Sequence, residues 1–538
     1  MKAAIDDWLQ TLGYDGSVGV VHRAASDVRP DHPYAREIEL MLRAPGAAAA
    51  AVFEVDRVPA VCFVEPDASQ PLDARFIDEV RSRIWNQNLV SIVVIVRGQE
   101  AVPYPAPRDL PADSPLSLAQ ASAEGPFSAN EVARGDIANR LPEWFNRSHR
   151  VDRVMQDNLD VAVETLKGLK LSQEQAQLLL GKCIFVSFLE HRGMVGEHYR
   201  ERHKVGQLLD LLHAGDGRGL DRLFRRLKSD FNGDLLEIEG GSNVDWRTLP
   251  AKVLDLLAQF LLHTRLRDQQ RSLWPYDFNY IPVELLSGIY ETFLGGAQRE
   301  MGAFYTPRHL AALAVDEAFR GIEKPWQEVV LDGACGSGIL LTSAYRRMLG
   351  ARRASLQREL RYEERQDVLL TGIRGGDTSS AACKVTAFSL YLALLEDLAP
   401  SDIARLQEDQ EVKLPPLMGK VLTRDGQGDF FSARNAVAKP GGATILLSNP
   451  PWFEPRGEDE RSYERWWMQR FNTPLPRRQI ALAFARRASE VVKVGGRICL
   501  LLPVSTLGAA SAGAYLKDWF REVAPQRLIN LADMRFVL

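Results

Sequence analysis

The sequence predicts a protein of three parts: a small α/β domain, a helical domain and a larger α/β domain with a parallel sheet. Up to residue 102 and after residue 284, short apolar runs alternate with helical stretches, whereas between them apolar residues recur at helical spacing. A chain of 538 residues is also too long for one ordinary domain, and about three domains are expected.

Composition excludes several classes of protein. Hydrophobic residues make up 46% and charged residues 25% of the chain, as in soluble globular proteins, and no apolar run is long enough to span a bilayer. The 5 cysteines are scattered without a CxxC pair, so we expect neither a metal site nor disulfides, and a cytoplasmic location. The net charge of −4 does not indicate nucleic-acid binding, so any phosphate-binding surface must be local.

Residues 1–102 are predicted to form the small α/β domain. The runs AAAVFEV and AVCFVE indicate neighbouring strands joined at Asp56 to Pro59, and LVSIVVIV indicates a buried strand. The segment from Pro103 to Pro126 is rich in proline, which prevents continuous helix or sheet. Residues 103–129 are therefore predicted to be a linker.

Residues 130–284 are predicted to be helical. NLDVAVETLKGL, EQAQLLLGKCIFVSFLEHRG, VGQLLDLLHAG and AKVLDLLAQFLLHTRL repeat apolar residues at helical spacing, and Gly193 and Gly215 suit helix ends. Residues 285–538 instead contain VVLDGACGSG, VLLTGIRGGD, TILLSNPPW and RICLLLP, which are apolar runs ending at Gly, Asp or Pro. This alternation with helices predicts a parallel sheet whose strand ends carry the functional loops.

A glycine-rich turn follows the first predicted strand of that sheet. Gly333, Gly336 and Gly338 permit positive φ and allow a ligand to approach the backbone. Asp332 can accept a hydrogen bond from a ligand ammonium group, while the start of the next helix can face a carboxylate. An amino-acid-bearing nucleotide fits these two charges better than a pyrophosphate does. The alternative is a tight structural turn.

A second acid, Asp377, ends the next predicted strand in the run TGIRGGD. In doubly wound nucleotide-binding folds an acid at this place binds the ribose hydroxyls, and Asp377 is predicted to do the same. The alternative interpretation of Asp377 is a helix N-cap, because aspartate is a favoured residue at that position.

The loop after the strand ATILL contains Asn449, Pro450, Pro451 and Trp452. The two prolines fix the backbone and hold the Pro450 carbonyl outward. Asn449 offers a side-chain carbonyl, and Trp452 supplies a flat π surface. Two acceptors beside a stacking surface can receive an aromatic amine. The alternative is a proline-rich loop with a buried tryptophan.

From about Leu285 to its end the sequence resembles the γ-class N6-adenine DNA methyltransferases. GAFYTP, DGACGSG, the acid of GIRGGD, QGDFF and SNPPWF occur in the order and spacing of that family. Upstream, FVSFLEHRG and FNGDLL are similar to a helical region often joined to such enzymes in fused restriction–modification proteins and in DISARM- or BREX-type phage-defence methylases. Gly333 departs from the family pattern, which usually has proline there.

The resemblance implies a class I, Rossmann-like methyltransferase fold over residues 285–538, with S-adenosylmethionine as cofactor. The implied partners are double-stranded DNA and other subunits of a defence system. The implied reaction is transfer of a methyl group to N6 of a flipped-out adenine. Asp425 is an alternative to Asp429 as the residue that hydrogen-bonds the adenine of the cofactor. The implied catalytic residues are Asn449, Pro450, Pro451 and Trp452. The implied cofactor-binding residues are Tyr305, Thr306 and Pro307 at the methionine moiety, Asp332, Ala334, Gly336 and Gly338 at its amino-acid part, Asp377 at the ribose, and Asp429 and Phe430 at the adenine.

The predicted hairpin from Phe53 to Glu65 resembles the central hairpin of PD-(D/E)xK nucleases, which fused restriction enzymes often carry at the amino end. A working site needs an acid and a lysine, spaced by one residue, to bind Mg²⁺ and activate water. Glu65 is a candidate for the acid, but Asp67 stands in the place of the lysine. We therefore expect a nuclease-like domain without nuclease activity.

Two other functions stay open at this stage. Loops of the NPP type also methylate glutamine side chains, so one alternative is a protein or RNA methyltransferase. The other is a cofactor-binding scaffold subunit of a defence complex. The target DNA sequence cannot be derived from these motifs. No target-recognition region is expected within residues 285–538, so recognition would come from the helical domain, a partner or residues beyond Leu538.

Overall fold

The computed structural model divides into two compact units. It describes residues 4–16, 19–44, 49–66, 71–230, 244–262, 264–265, 270–271, 275–287, 306–398, 402–403, 405, 414–424, 427–452, 461–504, 506 and 513–531. The first unit comprises residues 1–224 and 240–282, and the second comprises residues 225–239 and 283–538. The predicted boundary at residue 285 lies close to this division, whereas the predicted amino-terminal domain and most of the predicted helical domain fall within one unit.

A six-stranded mixed sheet forms the centre of the first unit. Its spatial order follows the chain: β1 (Val20–His22), β2 (Ala51–Val55), β3 (Val58–Val64), β4 (Ile92–Arg97), β5 (Glu100–Pro105) and β6 (Leu116–Ser117). β3 and β4 run parallel, joined through helix α3 (Ala74–Gln87), and the other neighbours run antiparallel. Helices α1 (Ala4–Thr11) and α2 (Ala35–Leu42) precede β2. The predicted hairpin and buried strand are confirmed as β2–β3 and β4.

The predicted linker over residues 103–129 is wrong, because its start is strand β5. Ala106 N–H donates to the Ser91 carbonyl beside β4, while the Pro103 carbonyl on the opposite edge accepts from Asp113 N–H. The prolines at alternate positions of β5 therefore lie where a backbone N–H would point away from β4, so they remove no bond of that ladder. Further along the segment, Phe127 is 1% exposed and packs in the core of the first unit.

Helices make up most of the rest of the first unit, and the last of them but one, α10 (Gly217–Asp230), continues past residue 224 into the second unit. The predicted helices are confirmed as α6 (Val151–Gly168), α7 (Gln173–His191), α9 (Leu208–His213) and α11 (Ala251–Leu261). Helix α11 ends before the two-residue strand β7 (Thr264–Arg265), which pairs with β8 (Gln270–Arg271). Gly193 and Gly215 adopt positive φ just after helices, as predicted. FNGDLL lies outside the described residues. The other helices are α4 (Ala129–Arg134), α5 (Asp136–Arg140) and α8 (Glu197–His203).

A four-stranded parallel sheet forms the centre of the second unit, as predicted. Its order is β10 (Ile373–Gly375), β9 (Val330–Asp332), β11 (Ala443–Ser448) and β12 (Val492–Leu500). The helices are α12 (Arg308–Phe319), α13 (Ile339–Leu356), α14 (Tyr362–Gly372), α15 (Ser380–Leu395), α16 (Ser462–Phe471), α17 (Ile480–Val491) and α18 (Gly513–Trp519).

One predicted strand of this sheet begins too early. The run VLLTGIRGGD predicts a strand from Val368, but residues 368–372 belong to helix α14, and β10 begins only at Ile373. Val368 and Leu369 are fully buried. A short run of buried apolar residues has the same appearance in a core helix as in a core strand, so the pattern alone could not distinguish them.

The nuclease-like interpretation of the first unit stays a prediction. On β2, Glu54 is 5% exposed, and its Oε2 lies 3.1 Å from His22 Nε2 and 3.0 Å from His32 Nε2. Glu65 is partly exposed just after β3, and Asp67 lies outside the described residues. In the part of the chain that the structure describes, no group of three or more His, Cys, Asp and Glu could hold a metal ion. In the same residues, no helix is both long and apolar enough to cross a membrane.

Candidate functional site

The carboxyl ends of β9, β10 and β11 bring three of the predicted motifs together. Asp332 ends β9, and its register partner on β10 is Gly375, just before Asp377. Ser448 ends β11, and its hydroxyl donates to Asp332 Oδ1 at 2.6 Å. Since parallel strands end at one edge of a sheet, motifs far apart in the chain meet there.

Burial dominates the electrostatics of Asp332, which is 1% exposed. Its Oδ1 also accepts from Ala334 N–H at 3.0 Å. Burial raises the pKa of Asp332 to about 7; the donors on Ser448 and Ala334 lower it only in part, and the neighbouring Asp377 raises it further. A buried carboxyl group with this pKa is stabilised in its ionised form by any cationic ligand group placed beside it.

The glycine turn after Asp332 combines backbone freedom with close packing. Gly336 and Gly338 have φ of 52° and 82°, as predicted, but Gly333 has no positive φ. A Cβ at Gly333 would overlap the ring of Phe430. Glycine at the place of the family's proline therefore leaves room for this ring.

Asp377 binds the backbone of two loops. Its Oδ2 accepts from Gly336 N–H at 3.0 Å and its Oδ1 from Ser379 N–H at 2.8 Å. Burial raises the pKa of Asp377, although these donors act in the opposite direction. The N-cap of α15 is Ser379, whose hydroxyl accepts from Ala382 N–H. The helix-cap interpretation of Asp377 is therefore wrong.

Gly428 brings the QGDFF segment against Asp377. A Cβ at Gly428 would overlap the carbonyl oxygen of Asp377, so only glycine permits this approach. Asp429 follows, partly exposed, and its Oδ1 accepts from Phe431 N–H at 3.0 Å. Phe430 is 3% exposed and stacks on Phe484 with ring centroids 4.1 Å apart. The backbone thus places Asp429 next to Asp377 at the same edge of the sheet.

The loop after β11 presents one unpaired acceptor and one exposed aromatic ring. Asn449 Nδ2 donates to Thr306 Oγ1 at 3.1 Å, while its Oδ1 is buried and accepts no hydrogen bond from the described residues. Pro450 is buried. Trp452 is 40% exposed, and its indole N–H donates to the Leu501 carbonyl at 3.3 Å. The buried-tryptophan interpretation is therefore wrong.

The sequence patterns gave no role to Ser448. They predicted Thr306 as a cofactor-binding residue but did not connect it with Asn449. The only sequence signal for Ser448 was a hydroxyl residue at the end of a predicted strand. Tyr305 and Asp425 lie outside the described residues, as does Phe453 of the SNPPWF motif, so the choice between Asp425 and Asp429 stays a prediction.

Comparison with known proteins relates this region to DNA methylases. Residues 283–396 match the family N-6 DNA Methylase. The type II restriction enzyme and methyltransferase RM.BcgI of Heyndrickxia coagulans is 24% identical over 227 residues, which are 42% of this chain and 28% of the relative. The chain therefore spans only part of that relative.

Two solved structures are similar at low sequence identity. The type IIG restriction endonuclease BpuSI has 15% identity and a TM-score of 0.38, over 96% of this chain and 52% of that one. The methyltransferase subunit of a type I restriction–modification system from Streptococcus thermophilus has 17% identity and a TM-score of 0.41, over 69% of this chain and 79% of that one. The chain covers about half of the first of these structures.

Proposed function

We propose, because residues 283–396 match the N-6 DNA methylase family, that this protein methylates N6 of adenine in DNA. The resemblance to N6-adenine DNA methyltransferases is confirmed by that match. In this proposal S-adenosylmethionine donates the methyl group and a flipped-out adenine receives it. The protein would act in a restriction–modification or phage-defence system. The observation that carries the proposal is the buried Oδ1 of Asn449, which accepts no hydrogen bond from the described residues, together with the exposed side chain of Trp452 in the same loop.

The residues at the edge of the parallel sheet fit S-adenosylmethionine. Asp332 would pair with the ammonium group, and that positive charge would stabilise the ionised form of this buried carboxyl group. Asp377 and Asp429, adjacent through Gly428, would bind the ribose and the adenine of the cofactor. When bound, this cofactor supplies a methyl group on a positively charged sulfur, which makes the methyl carbon electrophilic.

The amine subsite needs two acceptors because the exocyclic amine of adenine carries two hydrogens. In this proposal Asn449 Oδ1 accepts one N–H, and the backbone carbonyl of Pro450 accepts the other. These bonds fix the amine and draw its lone pair out of conjugation with the ring. A strong base is not required, because the amine releases its proton readily to water once it carries the methyl group. Positioning is then the largest contribution to the rate.

Trp452 would stabilise the adenine after it leaves the DNA helix. Flipping a base costs about a few kcal/mol. Stacking on an aromatic side chain returns about 1–3 kcal/mol. The bond from the indole N–H to the Leu501 carbonyl holds the ring, while the residue remains 40% exposed.

The proposal is tested by replacing Asn449 with alanine. Asn449→Ala should bind S-adenosylmethionine with nearly unchanged affinity in calorimetry but transfer no label from the cofactor to unmethylated DNA, because the lost acceptor acts chiefly in the transition state. Asn472→Gly, at an exposed position that ends α16 with φ of 51°, is a matched control expected to stay active.

Product analysis identifies the substrate. Digestion of the labelled DNA to nucleosides should yield N6-methyladenine as the labelled product. Transfer only to RNA or protein would replace the proposed substrate with another class, and a wild-type rate in Asn449→Ala would show that the SNPPW assignment is wrong.

A further inference from the structure

We infer that Thr306 is a positioning residue, whose hydroxyl turns the Asn449 amide so that its oxygen faces the target amine. The inference deepens the proposed function and rests on it. Asn449 Nδ2 donates to Thr306 Oγ1 at 3.1 Å, and Thr306 is 6% exposed. The resemblance to the methyltransferases implies contact between Thr306 and the cofactor instead, so this role is a different one.

The two ends of the Asn449 amide have opposite hydrogen-bonding properties. Oδ1 only accepts and Nδ2 only donates, and the exocyclic amine of adenine offers donors. Only Oδ1 can therefore accept a hydrogen bond from that amine. In the opposite orientation of the Asn449 amide, the N–H groups of Nδ2 would face the N–H groups of the amine. By accepting from Nδ2, Thr306 makes Oδ1 the free end, and this end is buried and accepts no hydrogen bond from the described residues.

Thr306 is held in place by the same sheet that carries Asn449. It precedes Pro307, the N-cap of helix α12. The α12 carbonyl of Ala314 accepts from Cys499 Sγ of β12 at 3.5 Å. β12 pairs in turn with β11, whose last residue, Ser448, immediately precedes Asn449. Both partners of the Thr306–Asn449 bond are thus connected to neighbouring strands of the same sheet.

The test compares Thr306→Val with Thr306→Ser in the full chain. Valine keeps the branched shape but removes the acceptor, whereas serine keeps the hydroxyl. Thr306→Val should lower kcat for DNA methylation by about 10- to 100-fold, the cost of a small misplacement of reacting groups. Its Kd for S-adenosylmethionine should stay within about twofold of wild type, because the hydroxyl binds Asn449. Thr306→Ser should recover most of kcat.

Thr342→Val is the matched control. Thr342 lies in helix α13 of the same unit, and its buried hydroxyl oxygen has no hydrogen-bond partner among the described residues. Removing that hydroxyl should leave kcat and melting temperature close to wild type. Melting curves of all variants separate loss of activity from loss of fold.

The outcomes distinguish the inference from the proposed function. Wild-type protein that forms no N6-methyladenine overturns both. If the wild type is active, three results overturn the inference alone: Thr306→Val with wild-type kcat, Thr306→Val with cofactor affinity reduced as much as kcat, or Thr306→Ser as slow as Thr306→Val. A low kcat with intact cofactor affinity in Thr306→Val, recovered in Thr306→Ser, supports it.

Discussion

The affinity for S-adenosylmethionine should rise with pH up to about 7, because Asp332 must be ionised to pair with the ammonium group of the ligand. Burial raises the pKa of Asp332 to about 7, and burial also raises the pKa of the neighbouring Asp377. Below pH 7 the Asp332 carboxyl is protonated in the free protein. Binding must then release that proton, which reduces the net binding free energy.

The size of the effect follows from the pKa of Asp332. For one group that titrates at about 7, Kd falls by about tenfold per pH unit well below the pKa. Between pH 5 and pH 7 the change is roughly 50-fold, equivalent to about 2 kcal/mol. Above about pH 8 the affinity should fall again, because an α-amino group loses its proton there.

The assay is calorimetric titration of the protein with S-adenosylmethionine at several pH values, in buffers of different ionisation enthalpy so that proton release is counted. Ser448→Ala removes the hydroxyl that donates to Asp332, so it should raise the pKa of that acid and move the midpoint up by about one pH unit. Ser489→Ala is the control, since its hydroxyl accepts from the Trp519 indole and not from the site.

The reasoning would be refuted by an affinity that does not change between pH 5 and pH 7. It would be refuted equally by a midpoint in Ser448→Ala identical to that of the wild type, because the hydroxyl would then have no effect on the ionisation of Asp332. Retention of the pH dependence in Asp332→Asn would assign it to another group.

Three further predictions concern the ribose acid, the stacking surface and the first unit. Asp377→Ala should weaken S-adenosylmethionine binding by about 1.5–3 kcal/mol in calorimetry, whereas Ser379→Ala, which removes only the helix cap, should lower the melting temperature without that loss. Trp452→Ala should raise KM for DNA by about 5- to 150-fold, because stacking on the adenine is lost. Trp452→Phe should raise KM far less, and Phe520→Ala, which changes an exposed aromatic residue of the same unit, should not raise it. With Mg²⁺ or Mn²⁺ the chain should not cut unmodified plasmid DNA; double-strand cuts that vanish in Glu65→Ala would contradict this expectation.

The amino-acid sequence by itself determined the features that depend on short-range patterns. Helices α6, α7, α9 and α11 follow from apolar residues at helical spacing, and β2–β3 and β4 from compact apolar runs. The glycine turn after β9, the acid that ends β9 and the acid just after β10 are predicted by the order of the motifs. These patterns act within a few residues, so they can be read without knowing what packs against them.

The tertiary structure alone decided which of these residues touch. Ser448 and Asp332 are 116 positions apart, and Asn449 and Thr306 are 143 apart. Each bond depends on the order and register of parallel strands, which no local pattern specifies. For the same reason the prolines of β5 predict a linker from the sequence alone. Only the structure shows that they lie in a strand, at positions where a backbone N–H would point away from β4. The acceptor left free on Asn449 is therefore a property of the folded sheet, because its orientation depends on a partner from a distant helix end.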